Sequence, residues 1–475
     1  MKDSKGPRKK IDRSTVKDLL SKKPEFTTTQ MIAYGFLTAI VIGAILLSLP
    51  IASANGEATN FLDALFTATT SICVTGLVTV TTATHWSTFG KIVILVLIQF
   101  GGLGIVTFTT TIMLGLRKRI TLKERLLIQD AYNLDTLRGL VKLTIRIIKG
   151  TLLIEGIGAV LYAIQFVPEF GFVGGVGRAI FNSVSAFCNA GMDIVGETSM
   201  EPYIFNPLIN ITTMLLIIIG GIGFPVWWDL CKLAKAFIYE KLSMKVIWRK
   251  MELHTKLVLT VTLILIVSGA VLIFAMEYDN PLTIGDMSFG NKAMASTFQS
   301  VTTRTAGFQT IPQQDFTHSS SLLFIIFMFI GGSPSGTAGG IKTVTLAVLI
   351  LTILSSIRNK QDVEVYNRQI TDAFVRKSIA VFGVSFIVLM TSTLLLCITE
   401  TGDFIDIVFE TTSAIGTVGL TRGFTSQLSD LGKIIIIITM YLGRIGPITM
   451  ALAFNSHKRE KTNARKLPTD KILVG

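Results

Sequence analysis

One pattern constrains this chain more than any other. A short run of small and hydroxyl side chains opens on a phenylalanine and closes on a glycine, and it occurs four times. The copies are Phe66–Leu77, Phe181–Met192, Phe298–Phe308 and Phe409–Leu420. Their glycines, Gly76, Gly191, Gly307 and Gly419, lie roughly 112 to 116 residues apart, a period that means four copies of one structural unit and not a solenoid of short repeats.

What surrounds each copy is apolar. Half of the residues are hydrophobic and 16% are charged, where a soluble domain carries about a quarter charged. Mean hydropathy is +0.60. This excludes an ordinary soluble enzyme and points to an all-α polytopic membrane protein. Cys73, Cys188, Cys231 and Cys397 are scattered, and the four histidines are isolated. Neither set has metal-ligand or disulfide spacing. The polar start and the length of the first apolar run argue against a cleaved signal peptide.

Each unit reads as span, half-helix, glycine strand, span. In the first, Met31–Pro50 spans, Phe61–Ile72 is a half-helix, Val74–Leu77 is the strand, and Lys91–Leu116 spans again. The second reads Ile147–Val167, Arg178–Phe187, Asn189–Met192 and Asn206–Leu230. The third reads Leu257–Met276, Asn291–Thr303, Thr305–Phe308 and Ser319–Leu354, and the fourth Ser378–Ile398, Phe404–Ile415, Thr417–Leu420 and Lys433–Phe454. The expectation is about eight spanning helices and four re-entrant half-helices around one pseudo-fourfold axis.

The domain division follows. A basic tail covers 1–24, and the four units cover 25–116, 147–230, 257–357 and 378–457, with a C-terminal tail from 458 to 475. The joints 117–146, 231–256 and 358–377 are basic, carrying among others Arg117, Lys118, Arg119, Lys241, Arg249, Lys250, Arg358 and Arg376. Segments inside the units lean acidic: Glu57, Glu169, Glu201, Glu277, Asp315, Glu400 and Asp403. Net charge is +13. Its distribution reads as positive-inside topology, with both termini cytoplasmic in a multi-pass protein in the lipid bilayer, and not as nucleic-acid binding. Acidic outer segments raise the local concentration of cations at an outer mouth.

Irregular backbone at membrane depth survives only inside protein or along a water-filled path. Four glycine strands can surround one axis and turn carbonyl oxygens toward it, replacing the hydration shell of a bare cation. The candidate filter is therefore Val74, Thr75, Gly76; Asn189, Ala190, Gly191; Thr305, Ala306, Gly307; and Thr417, Val418, Gly419. Each half-helix aims its partially negative C-terminus at the membrane centre, which favours a cation below the filter. The third copy is one residue shorter and carries Arg304. That side chain is expected to turn away and pair with an acid or with carbonyls, Glu410 being the candidate.

Two further places are candidates for a gate. The third unit's second span is interrupted by Gly331, Gly332, Ser333, Pro334, Ser335, Gly336, Thr337, Ala338, Gly339 and Gly340. Glycine costs about 1 kcal/mol and proline about 3 in a helix interior, so 331–343 is expected to be an intramembrane loop. Lys342 would lie toward its cytoplasmic end, with its ammonium in water. Arg444, midway along the last span, is a functional candidate by its charge; a structural ion pair with Glu155 is the competing reading. The other second spans carry Gly101-Gly-Leu-Gly104, Gly220-Gly-Ile-Gly223 and Gly443-Arg-Ile-Gly446, small residues that let helices approach closely.

With these residues in place, the chain resembles the Trk/Ktr/HKT superfamily of potassium transporters over about residues 25–457, and the KtrB-type membrane subunit most. The resemblance implies potassium uptake through a single pore, with potassium as substrate and held by filter carbonyls. It implies a homodimeric membrane subunit and a cytosolic KtrA-like ring that binds the nucleotide, so no cofactor resides in this chain. Sodium as an activator is common in such systems, although no residue here announces it. A glycine at the first filter position, here Gly76, goes with potassium preference.

Rival readings are a sodium or less selective cation transporter, the membrane subunit of a potassium-pumping ATPase, a nucleotide-driven enzyme and a passive scaffold. The stretch Gly336–Thr343 looks superficially like a phosphate loop, but Ile341 separates Gly340 from Lys342 where that motif needs them adjacent. The chain is therefore expected not to be an enzyme.

Overall fold

The computed structural model describes residues 27–104, 107, 140–360 and 362–446. The tail 1–24, the basic run Arg117–Arg125 and the tail after Phe454 lie outside the described residues. So do the distal ends of the spans expected over Lys91–Leu116 and Lys433–Phe454.

The first span of each unit is a long apolar helix: α1 (Thr28–Ser48), the first part of α4 (Leu140–Cys188), α8 (Leu253–Met276) and α12 (Asp372–Thr399). All four are long and apolar enough to cross a membrane. Their outward faces are apolar too: Ile42, Leu152, Ile157, Val160, Leu263, Val267, Ile387 and Leu394 are exposed. In a soluble protein that belt would be a liability; in a bilayer it is the lipid-facing surface.

The half-helices are α2 (Phe61–Cys73), the last part of α4, α9 (Phe289–Thr302) and α13 (Phe404–Gly416). Each keeps its repeated phenylalanine buried: Phe66, Phe181, Phe298 and Phe409 are at most 2% exposed. In the second unit no loop separates span from half-helix. α4 runs through, broken by Gly171 at φ 73° and ψ 169°, three residues after Pro168. The expected gap between Val167 and Arg178 is thus a single-residue kink that glycine makes possible.

The second spans are α3 (Thr88–Leu103), α5 (Pro207–Gly221), α10 (His318–Phe329) with α11 (Thr343–Ile357), and α14 (Asp430–Ile445). All start the same way. Ser87, Asn206, Thr317 and Ser429 each cap their helix by accepting a backbone N–H three residues on, worth about 1 kcal/mol apiece.

None of the four is a straight span in the described residues. α3 ends at Gly104 (φ 81°), α14 at Gly446 (φ 90°), and α10 gives way to the glycine-rich stretch. α5 stops at Gly221, and after Gly223 (φ 91°) the chain leaves at 101° as α6 (Phe224–Glu240), followed by α7 (Met244–Lys250). The straight span expected over Asn206–Leu230 is therefore corrected to a bent pair. A glycine in the left-handed region cannot continue an α-helix.

The joint between the third and fourth units folds into a small antiparallel hairpin, β1 (Val363–Val365) with β2 (Arg368–Ile370). It rests on the preceding joint: Tyr366 lies edge-on to Trp248 at 6.1 Å, and its hydroxyl is 2.8 Å from Thr260 Oγ1. At the opposite pole, ion pairs staple units together. Lys433 reaches Asp63 at 2.8 Å, and Arg422 reaches Asp406 at 2.6 Å while donating to Gln313 O and Ser321 Oγ.

Candidate functional site

The four glycine strands meet. A Cβ built on Gly76 would lie 2.7 Å from Ala190 O, and one on Gly191 would lie 2.5 Å from Ala306 O. One on Gly307 would strike Val418 O, and one on Gly419 would strike Thr75 O, which closes the cycle. Each built Cβ also lies within 3.3 Å of a neighbouring strand's glycine Cα. Thus every glycine abuts the carbonyl that precedes the next glycine, in the order of the units. No side chain fits at this level.

The backbone repeats with the same regularity. The glycines have φ of 97°, 64°, 80° and 95°, and the residue two before each is also left-handed: Val74 (52°), Asn189 (57°), Thr305 (67°) and Thr417 (51°). Three of these four are β-branched, the type that tolerates the left-handed region least. Such residues cost on the order of 1–3 kcal/mol each and persist only where their surroundings enforce them.

Side-chain straps hold two of the strands. Thr70 Oγ1 accepts from Gly76 N at 2.9 Å, and Ser413 Oγ accepts from Gly419 N at 3.0 Å. The corresponding hydroxyl in the second unit, Ser185 Oγ, has no partner. The third unit, one residue shorter, has Val301 there and substitutes a different bond, Thr302 Oγ1 to Phe308 O at 2.7 Å. Sequence reading missed these straps, although a hydroxyl six residues before three of the four glycines was there to be found.

The first glycine of each second-span mark has a definite task. A Cβ on Gly101, Gly220 or Gly443 would land on the carbonyl of Ile72, Phe187 or Ile415, four residues before the repeated glycine of its own unit. The close approach read from the sequence is therefore that of the second span against the half-helix end.

The loop expected at 331–343 lies directly against this assembly. The helix stops at Phe329 and resumes at Thr343, and between them Ile330 and Ile341 form a parallel bridge. Ser333 N donates to Gly221 O (2.9 Å) and Thr337 N to Gly220 O (3.2 Å), while Thr337 Oγ1 donates to Phe187 O (3.1 Å). A Cβ on Gly339 would strike Thr417 Oγ1. One irregular segment thus touches the second unit's bend and the fourth unit's half-helix end, and the backbone N–H groups of Gly331, Ser333, Gly336, Thr337, Ile341 and Thr343 find carbonyl partners.

Arg444 joins it to the remaining unit, donating to Thr337 O at 2.5 Å and to Gly101 O. Among the described residues it has no carboxylate partner. Glu155, the competing partner, accepts instead from Gln99 Nε2 at 3.2 Å and from the Cys188 thiol. Lys342 departs from expectation: its ammonium folds back onto Ala338 O at 2.6 Å instead of reaching for water.

Arg304 departs further. It is buried, its Nε has no protein partner, and Glu410 accepts from Thr421 and Thr425. The pairing expected from the sequence is not made, because those two threonines lie on the turn directly after the fourth strand and saturate the carboxylate.

No group of three or more His, Cys, Asp or Glu able to hold a metal occurs among the described residues. At the ring itself the groups that abut the four glycines are the backbone carbonyls of Thr75, Ala190, Ala306 and Val418.

Comparison with known proteins gives the same fold and a family. Residues 16–465 match the family described as TrkH, cation transport protein. The Ktr system potassium uptake protein B of Bacillus subtilis (strain 168) is 39% identical over 97% of this chain and 99% of its own length. The potassium/sodium uptake protein NtpJ of Enterococcus hirae is 36% identical over 95% of this chain and 98% of its own length. The crystal structure of the potassium transporter TrkH from Vibrio parahaemolyticus superposes with a TM-score of 0.69 at 17% identity, covering 89% of this chain and 85% of that one. At that identity the likeness speaks for the fold alone.

Proposed function

The chain belongs to the TrkH family of cation transport proteins, and on that premise we propose that it takes up potassium through the ring of Gly76, Gly191, Gly307 and Gly419. It is a multi-pass membrane protein of a transporter family and not an enzyme. The observation that carries the proposal is the closed cycle of glycines against carbonyls. It supports reading 74–76, 189–191, 305–307 and 417–419 as a selectivity filter, where carbonyl oxygens replace an ion's hydration shell. The relative named for potassium and sodium keeps a shared-cation reading open to test.

The loop 331–343 and Arg444 form the gate of this proposal. The loop is held to the second unit by hydrogen bonds at Phe187, Gly220, Gly221 and Phe224 and to the fourth by Arg444, bonds that a modest displacement can break. Arg444 places a positive charge there with no carboxylate partner among the described residues, an electrostatic barrier to a cation. The units 25–116, 147–230, 257–357 and 378–457 are then four copies of one pore-forming module, joined on the cytoplasmic side by basic segments, with both termini cytoplasmic. Those joints offer the docking face for a cytosolic, nucleotide-binding KtrA-like ring beneath a homodimer. The relatives' naming as protein B of a system is consistent with such an assembly.

The test is Gly76→Ser. A side chain there meets Ala190 O at 2.7 Å and requires an unfavourable backbone. Potassium uptake into proteoliposomes should lose its preference over sodium. Unchanged ion competition in a correctly folded variant removes Gly76 from the filter.

A further inference from the structure

Filter strands one and four are strapped by a hydroxyl to the glycine N–H, whereas strands two and three are not. Gly307 N has only a long backbone bond, 3.4 Å, to Thr302 O. Between these two strands lies a small cavity of about 10 Å³ lined by Asn189, Ile217, Gly221, Val301, Arg304 and Gly332. Its walls come from the second filter strand, the second unit's bent span, the third half-helix and the start of the loop. Val301 is the residue that replaces the strapping hydroxyl.

Two polar groups face this space. Arg304 is 7% exposed, and its Nε has no protein partner. Asn189 is 1% exposed, and its amide is satisfied when Nδ2 donates to Ala186 O (3.1 Å) and Ile217 O (3.2 Å). That orientation turns Oδ1 toward Gly221 and the cavity. A buried guanidinium is costly without an acceptor. A cavity of this size has room for about one water.

We infer that Arg304 and Asn189 hold a single buried water between them, and that this bridge positions the second and third filter strands where the hydroxyl straps are missing. Arg304 donates to the water, which donates in turn to Asn189 Oδ1. Both residues stand two or three positions before a filter glycine, so the bridge fixes strand spacing at the junction of units two and three. It is a positioning device and does not touch the ion. Gly332 of the loop closes the cavity, which places the same water at the point where a displaced loop first reaches the filter.

The inference rests on the filter reading, so Gly76→Ser is run alongside. The variants are Arg304→Met, Arg304→Lys and Asn189→Gly, the last removing the acceptor while keeping a backbone at ease with positive φ. Potassium-over-sodium preference in proteoliposomes should fall about tenfold for Arg304→Met and for Asn189→Gly, the worth of one hydrogen bond to a charged group. The double variant should fall no further, and Arg304→Lys should keep most of the preference. A high-resolution structure should show one water about 3 Å from both groups.

If the two losses multiply in the double variant, or if both single variants keep full preference while Gly76→Ser loses it, the bridge is refuted and the filter stands. A structure with Arg304 donating directly to a protein carbonyl also refutes the bridge. If Gly76→Ser is silent as well, the filter reading falls with it. Should Arg304→Met not fold, Asn189→Gly against Arg304→Lys carries the same contrast.

Discussion

Thr70→Val isolates a single hydrogen bond at the ring. Thr70 is fully buried, and its Oγ1 accepts from Gly76 N at 2.9 Å. Valine has the same shape, so the change opens no cavity; it leaves one buried N–H without an acceptor. That costs about 1–3 kcal/mol, which lowers the population of the correctly formed strand by roughly 5- to 150-fold relative to its competitors. Potassium uptake into proteoliposomes, with sodium as competitor, reads this as lost discrimination. Ser185→Ala is the matched control: the same position of the second unit, but an Oγ with no partner. Its discrimination should stay within about twofold, since no bond is lost. Equal damage from both variants, or a silent Thr70→Val in folded protein, would show that the strap does not shape the ring.

Arg444→Gln should raise uptake or leak by roughly tenfold, a barrier lower by about 1.4 kcal/mol; flux that merely tracks protein level would point to a structural role instead. Deleting about ten residues within 331–343 removes the backbone anchors that pair the loop with neighbouring units. The deletion should raise potassium flux and weaken its dependence on an added KtrA-like regulator, and an undiminished dependence argues against the loop as the gate. At the C-terminal end of α8, burial pushes the Glu277 carboxyl up, but hydrogen bonds from Ser320, Thr317, Asn280 and Thr283 outweigh it and hold the carboxyl below its usual value. Because the folded value is the lower one, this stabilisation is present above the unfolded value, about 4.3, and is lost as pH falls through the folded one. Glu277→Gln should therefore lower the melting temperature at neutral pH, with the deficit closing in acid.

The repeat, the apolar spans and the glycine strands were legible because they rest on local signals: a period, a run length, a residue that alone tolerates positive φ. The broken stretch at 331–343 was legible for the same reason, its glycines and proline being incompatible with a helix. What could not be read depends on meetings between distant segments. Nothing near Val74, Thr305 or Thr417 in sequence announces a left-handed β-branched residue; the neighbouring strands impose it. The marks at Gly101, Gly220 and Gly443 look like ordinary helix packing until the carbonyls of Ile72, Phe187 and Ile415 are brought against them. Gly104, Gly223 and Gly446 stand in apolar runs that continue past them, so hydropathy hides the break. Arg304 without a protein partner runs against the expectation that buried charge finds a counter-charge, and the one-residue deficit in its half-helix was the available hint.

Those glycine breaks have a mechanical consequence. On the proposed filter and gate, a continuous inner helix would transmit any tug at its lower end straight up to the glycine ring, and an open pore would then be an unselective one. Here the upper segments are clamped to the half-helices by glycine-to-carbonyl contact, while Gly104, Gly223 and Gly446 already interrupt the helical hydrogen-bond ladder just below. On the gate proposed above, these interruptions would act as slack couplings, since a helix that stops at a positive-φ glycine does not carry its ladder through it. Load applied from beneath would then be spent at that plane, and the ring above would keep its shape. On that reading discrimination and opening are separately adjustable, and substitutions in the lower segments are expected to change when the pore conducts without changing which ion it prefers.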